Sequence, residues 1–134
     1  MSNDTKAILY TDGSSLGNPG PAGAGFVLEA PDQTVIVQRA IPLGEMTVGM
    51  TEYRALIAVL EEAHRLGATE ASIYLDSELV VRQLNGGYRV KNAALKSLYH
   101  EASSLLGRLK SFTITHVPRR QNAEADRLAN AALK

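Results

Sequence analysis

The sequence predicts an α/β fold, a five-stranded mixed sheet flanked by helices in the order βββαβααβα. Three observations carry that prediction. Residues 6–41 read as three strands with connections too short for a crossover, which makes them an antiparallel meander. From about Thr47 the apolar residues recur at helical rather than strand spacing. Beyond that point strand-like and helical segments alternate, and strands joined through helices usually run parallel.

The first strand is residues 6–12, where Ala7-Ile8-Leu9 leads to Asp12; the Gly- and Pro-rich stretch behind it is expected to end the strand. Residues 24–28 form the second, Pro31-Asp32-Gln33 a turn, and the β-branched run 34–41 the third. Tyr53, Leu56, Ile57, Leu60, Ala63 and His64 line one face of a helix with Glu52 in its first turn and Gly67 as its stop. Residues 71–75 are the fourth strand, closed by Asp76-Ser77. A short helix over 78–84 is broken at Asn85-Gly86-Gly87. The next, 93–106, turns Leu95, Leu98, Tyr99, Ala102, Leu105 and Leu106 inward. Residues 112–117 make the fifth strand, and Asn122 is a suitable N-cap for a last helix through Ala132. Without repeat or linker, residues 1–134 read as a single domain.

Composition narrows the chemistry. There is no cysteine, so disulfides, thiolate metal sites and a Cys nucleophile are excluded, and a reducing compartment is expected. The N-terminus lacks the layout of a signal peptide, and no apolar run approaches the roughly 18 residues of a membrane span. The expectation is a soluble, cytoplasmic protein. Fourteen basic residues balance fourteen acids, but unevenly. Residues 1–78 hold Lys6, Arg39, Arg54 and Arg65 against eleven acids; residues 79–123 hold Arg82, Arg89, Lys91, Lys96, Arg108, Lys110, Arg119 and Arg120 against Glu101 alone. An acidic half beside a basic half fits a metal-holding site next to a polyanion-binding surface, and equally two solvated faces of opposite sign.

Four carboxylates stand at element ends. Asp12 and Asp76 follow strands, Glu52 opens a helix, and Asp126 lies in the first turns of another. Sites in α/β sheets form outside the carboxyl ends of strands, which could bring all four together. Like charges so gathered raise one another's pKa, and a divalent cation relieves them; oxygen ligands without thiolate suit Mg²⁺ or Mn²⁺. Taken singly, an Asp after a strand is also ordinary turn chemistry, and an acid near a helix start only complements the dipole.

The local motifs decide between these readings. Tyr10-Thr11-Asp12-Gly13-Ser14 with Gly17-Asn18-Pro19-Gly20, then Thr51-Glu52-Tyr53-Arg54-Ala55, then Asp76-Ser77 with Arg82-Gln83, then Asn122-Ala123-Glu124-Ala125-Asp126-Arg127-Leu128-Ala129, resemble the four motifs of type 1 ribonucleases H, in order. The resemblance covers nearly the whole chain and implies that family's fold. It implies that Asp12, Glu52, Asp76 and Asp126 hold two Mg²⁺ ions, with Mn²⁺ as a substitute, at the scissile phosphate of the RNA strand in an RNA/DNA hybrid. The products would carry 5′-phosphate and 3′-hydroxyl ends. Double-stranded RNA is a second candidate substrate, and the protein is expected to act as a monomer.

The same resemblance gives Ser14 and Asn18 to the substrate, Asn18 reading sugar edges in the minor groove, where the 2′-hydroxyl distinguishes RNA from DNA. Thr47 matches a phosphate-gripping position and is also a plain N-cap; Tyr88 matches an aromatic against the DNA strand and is equally a packed tyrosine; Lys91 is a phosphate contact beside it. Three departures stand out. Residues 85–92 are too short for the basic insertion some members carry, and Glu78 replaces a frequent Gln. The loop before Asp126 also lacks a histidine. His116 reads as the end of the fifth strand, leaving Arg119, or else Arg120, in the histidine's place. Arginine stays charged at working pH, so it could bind phosphate but not shuttle a proton.

Overall fold

The computed structural model describes residues 4–87 and 89–133. Tyr88 lies outside the described residues. The element order is β1 (Lys6–Ser15), β2 (Gly20–Glu29), β3 (Val35–Met46), α1 (Val48–Arg65), β4 (Glu70–Leu75), α2 (Glu78–Leu84), α3 (Ala93–Gly107), β5 (Ser111–His116), a 3₁₀ turn (Arg119–Asn122) and α4 (Ala123–Ala131). The sheet runs β3-β2-β1-β4-β5. The β1–β2 and β2–β3 pairs are antiparallel, and β1–β4 and β4–β5 are parallel, as the sequence predicts.

Each strand puts alternate residues on opposite faces. Leu9 and Thr11 of β1 and Ile73 and Leu75 of β4 are fully buried and share one face; Tyr10 and Tyr74 share the other, their rings stacked at 5.1 Å. Helix α1 covers the first face with Tyr53, Leu56, Val59, Leu60 and Ala63, all fully buried. Helix α3 closes that layer with Leu98, Ala102 and Leu106, and the His64 ring bonds the Leu105 carbonyl at 2.8 Å. Burying a side chain of this size stabilises by about 1.5–3 kcal/mol, so this layer supplies most of the rigidity. No helix among the described residues is long and apolar enough to cross a membrane.

Two expectations are corrected. Strand β1 does not stop at Asp12. Its parallel pairing with β4 ends at Thr11↔Leu75, but its pairing with β2 continues through Asp12↔Gly25 to Ser15↔Ala22. Asp12 therefore stands where the sheet splits, still held by β2 after β4 has turned away. The glycines behind it mark close approach rather than a break. A Cβ on Gly13 would lie 2.4 Å from the Thr51 carbonyl carbon, so α1 begins directly against β1; one on Gly25 would lie 2.3 Å from the Ala125 carbonyl oxygen, where α4 lies on β2. Second, Asn122 is not a side-chain cap. It is 1% exposed at the start of α4, and its Nδ2 donates instead to the Thr11 carbonyl at 2.9 Å.

Candidate carboxylate site

Thr11 is the last residue of β1 paired with β4, and Asp12 opens the stretch that stays paired with β2 alone. The Gly13 contact sets Glu52 beside Asp12, in the second turn of α1 rather than the first, because the helix already begins at Val48. Asp76 follows the last residue of β4, between that strand and the Ser77 N-cap, whose hydroxyl accepts from Val80 N–H at 3.3 Å. One carboxylate oxygen from each of Asp12, Glu52 and Asp76 lies within 4.8 Å of the others. Asp12 is 2% exposed and Glu52 7%. Asp126, half-buried on α4, stands outside that three-acid cluster but near enough to Asp12 to help raise its carboxyl.

The electrostatics follow from that crowding. Burial above all, then the Glu52 and Asp76 charges, push the Asp12 carboxyl well above the usual carboxylate range. Burial and then Asp76 push Glu52 up as well, against bonds from Asp12 and the Gly13 N–H and the field of Arg119. The Gly13 N–H also donates to Asp12 Oδ1 at 3.0 Å. Glu52 Oε2 and Asp76 Oδ2 are buried with no hydrogen-bond partner. Buried, unpartnered carboxylate oxygens facing one another are costly unless something positive joins them. An all-oxygen donor set of this kind fits a hard divalent cation.

Around this core the sequence-derived residues take distinct places. Arg119, 77% exposed on the 3₁₀ turn, sets its Nε 3.9 Å from Asp76 Oδ2, whereas Arg120 makes no such approach. Asn18 and Thr47 meet at the start of α1. Asn18 Oδ1 accepts from Val48 N–H at 3.1 Å, and Thr47 Oγ1 from Met50 N–H at 3.4 Å, so both cap the helix that carries Glu52. Ser14 donates its hydroxyl to Asn130 Oδ1 at 2.8 Å. Lys91 is exposed on the segment between α2 and α3, and His116 ends β5, exposed, opposite Leu75. Glu78 is paired with Arg82 at 2.6 Å.

One position, Asn130, and one long-range contact, that of Asn122, emerge only from the structure. Asn130 lies one helical turn beyond Asp126 on the same face of α4, a spacing readable in the sequence had the partner on β1 been known. Asn122 ties that helix to the residue before Asp12 across 111 positions of chain, for which no local signal exists.

Known proteins resemble this chain along nearly its whole length. A family profile described as reverse transcriptase-like matches residues 10–132. The bifunctional protein Rv2228c of Mycobacterium tuberculosis is 44% identical over 129 residues, 96% of this chain but 35% of that protein. The chain thus spans about a third of the length of this curated relative. Ribonuclease HI of Halobacterium salinarum is 41% identical over 124 residues, 92% of this chain and 62% of that protein. Among solved structures, LC11-RNase H1 in complex with an RNA/DNA hybrid superposes with a TM-score of 0.90 at 37% identity, covering 95% of this chain and 96% of its own.

Proposed function

The chain belongs to the type 1 ribonuclease H family, and from that premise we propose that it is a metal-dependent endoribonuclease cutting the RNA strand of RNA/DNA hybrids. The observation that carries the reading is the meeting of Asp12, Glu52 and Asp76, from three elements, with buried oxygens left unpartnered. These three with Asp126 would hold two divalent ions, Mg²⁺ with Mn²⁺ as substitute. Such ions supply charge neutralisation at phosphate and acidify water, so that hydrolysis leaves 5′-phosphate and 3′-hydroxyl ends.

The remaining roles belong to this chain's own groups. Arg119 draws the departing phosphate away from the carboxylates and carries no proton. Asn18 and Ser14 face the sugar edges of the hybrid, Thr47 a phosphate, and Lys91 the DNA strand. Asn18 and Thr47 also cap α1, so their substrate contact comes with the orientation of Glu52. Residues 1–134 act as one such domain, and a cytoplasmic monomer that also accepts double-stranded RNA completes the proposal.

The test is direct. End-labelled RNA/DNA hybrid, double-stranded RNA and DNA are each incubated with the protein and Mg²⁺, beside the Asp12→Asn variant. Cutting of the hybrid's RNA by the wild type, with activity reduced at least about a thousandfold in the variant, is the expected result. Hybrid binding without cleavage would make the protein a nucleic-acid-binding module. Equal cutting of DNA would remove the sugar-reading role from Asn18.

A further inference from the structure

Where the end of α2, the segment behind it and the first turns of α3 meet, the surface holds a groove of about 320 Å³ that the carboxylate site does not use. Gln83, near the end of α2, lies about the length of that helix from Asp76, about 10 Å. Arg89, Lys96 and His100 line the groove, and no carboxylate does. All three are exposed, and none has an ion-pair partner among the described residues. Two cations thus converge with no acid to balance them. The buried polar member of the lining is Gln83, 6% exposed. Its Oε1 accepts from the Tyr53 hydroxyl at 2.5 Å, which fixes the amide. The Nε2 at the other end has no hydrogen-bond partner among the described residues and is not sealed from solvent, so its N–H groups are left to the groove. Val90 and the Tyr99 ring supply an apolar wall, and the Tyr99 hydroxyl can donate too. A mostly buried amide donor left open beside a guanidinium and an ammonium calls for an anionic acceptor. Phosphate presents several oxygens in tetrahedral directions, so it meets the Arg89 fork, Lys96 and the Gln83 amide together; the two oxygens of a carboxylate lie in one plane.

We propose that this groove binds a phosphate group, held by Arg89, Lys96 and the Gln83 amide. It is an anion site separate from the carboxylates, on the far end of the helix that begins behind Asp76. The group belongs either to a nucleic-acid backbone or to a free phosphomonoester, and the two sources are told apart below.

The probe is inorganic phosphate, titrated at constant ionic strength into ¹⁵N-labelled protein in excess MgCl₂. Saturable shifts of the Gln83 side-chain amide and of the Val90 and Lys96 backbone N–H groups are expected, with a Kd on the order of 1 mM. Lys96→Ala and Arg89→Ala should each weaken binding about three- to fivefold, as exposed charges do, and Gln83→Glu, which turns the donor into an acid, at least about tenfold. Arg108→Ala, at the far end of α3, should change nothing. Lys96 and Arg89 are exposed, so their variants report even where Gln83→Glu fails to fold. Shifts confined to Asp12 and Asp76, no saturation, unchanged affinity in the Lys96 and Arg89 variants, or an equal loss in Arg108→Ala would each overturn the proposal. Hybrid affinity of the same variants in EDTA then assigns the source: a parallel loss makes the phosphate that of a nucleic-acid backbone, and an unchanged affinity that of a free phosphomonoester. Phosphate binding is read without any cleavage, so it stands or falls independently of nuclease activity.

Discussion

Asp12 is held by backbone on both sides and has its charge opposed by every acid around it. A carboxyl whose folded pKa lies above its unfolded value is favoured protonated. The stability it lends is complete below the unfolded value near pH 4 and is lost as pH rises toward the folded one. In the metal-free protein Asp12 is therefore a liability at neutral pH. Asp12→Asn should raise the Tm in EDTA at pH 8 by about 3–8 °C, on the order of 1–3 kcal/mol, and the gain should shrink toward pH 4. Thermal melts across that range check it; a destabilised variant would contradict it. Arg119 is the second residue-scale case. Exposed and 3.9 Å from Asp76, it contributes little to folding. Arg119→Ala should lower turnover about 10- to 100-fold while Mg²⁺ affinity changes by less than about threefold; unchanged turnover would sink its role.

The elements were legible in the sequence to within a few residues, and the misplaced strand ends have one cause. Helices α1 and α3 appear where the apolar period puts them, because each buries a stripe of side chains, and α2 fills 78–84 before the glycine break. The strands β1 and β3 run on beyond their predicted ends, to Ser15 and Met46, because sheet pairing overrides the breaking tendency of Gly and Pro. Glycine in a strand reads identically as a break or as room for a neighbouring backbone, and only the fold decides. Gly25 is the clearest case. An added Cβ would lie 2.3 Å from Ala125 O and 2.4 Å from Ala129 N, both main-chain atoms that cannot swing aside. Gly25→Ala should cost about 1–3 kcal/mol and reduce turnover more than hybrid affinity, since α4 carries Asp126. Denaturant melts paired with steady-state kinetics separate the two effects, and a neutral outcome would show that α4 shifts freely.

For the molecule as a whole, the charge asymmetry becomes a geometry. The acids on β1, on α1 and just after β4 converge at the carboxyl ends of the two central strands, while Arg89 and Lys91 lie on the segment between α2 and α3. The uneven distribution of charge was visible along the chain, and the four carboxylates were individually named. That Asn122 and Gly25 bring α4 onto β1 and β2 was not, because such long-range contacts leave no periodic trace. If the basic segment meets phosphates, Lys91→Ala should weaken hybrid binding at low salt and flatten the slope of log K against log salt by about one. Binding titrations at several salt concentrations decide it; an unaltered slope would exclude Lys91 from the interface.

The central claim is that these carboxylates form a cation site whose protons and metal compete. Calorimetric titration of Mg²⁺ into the wild type and Asp12→Asn, at pH 6 and pH 8 in buffers of different ionisation enthalpy, tests it most directly. Binding to the wild type should be tighter at pH 8, should release protons, and should weaken at least about tenfold in Asp12→Asn. Mg²⁺ binding that is indifferent to pH and equally tight in the variant would contradict the account.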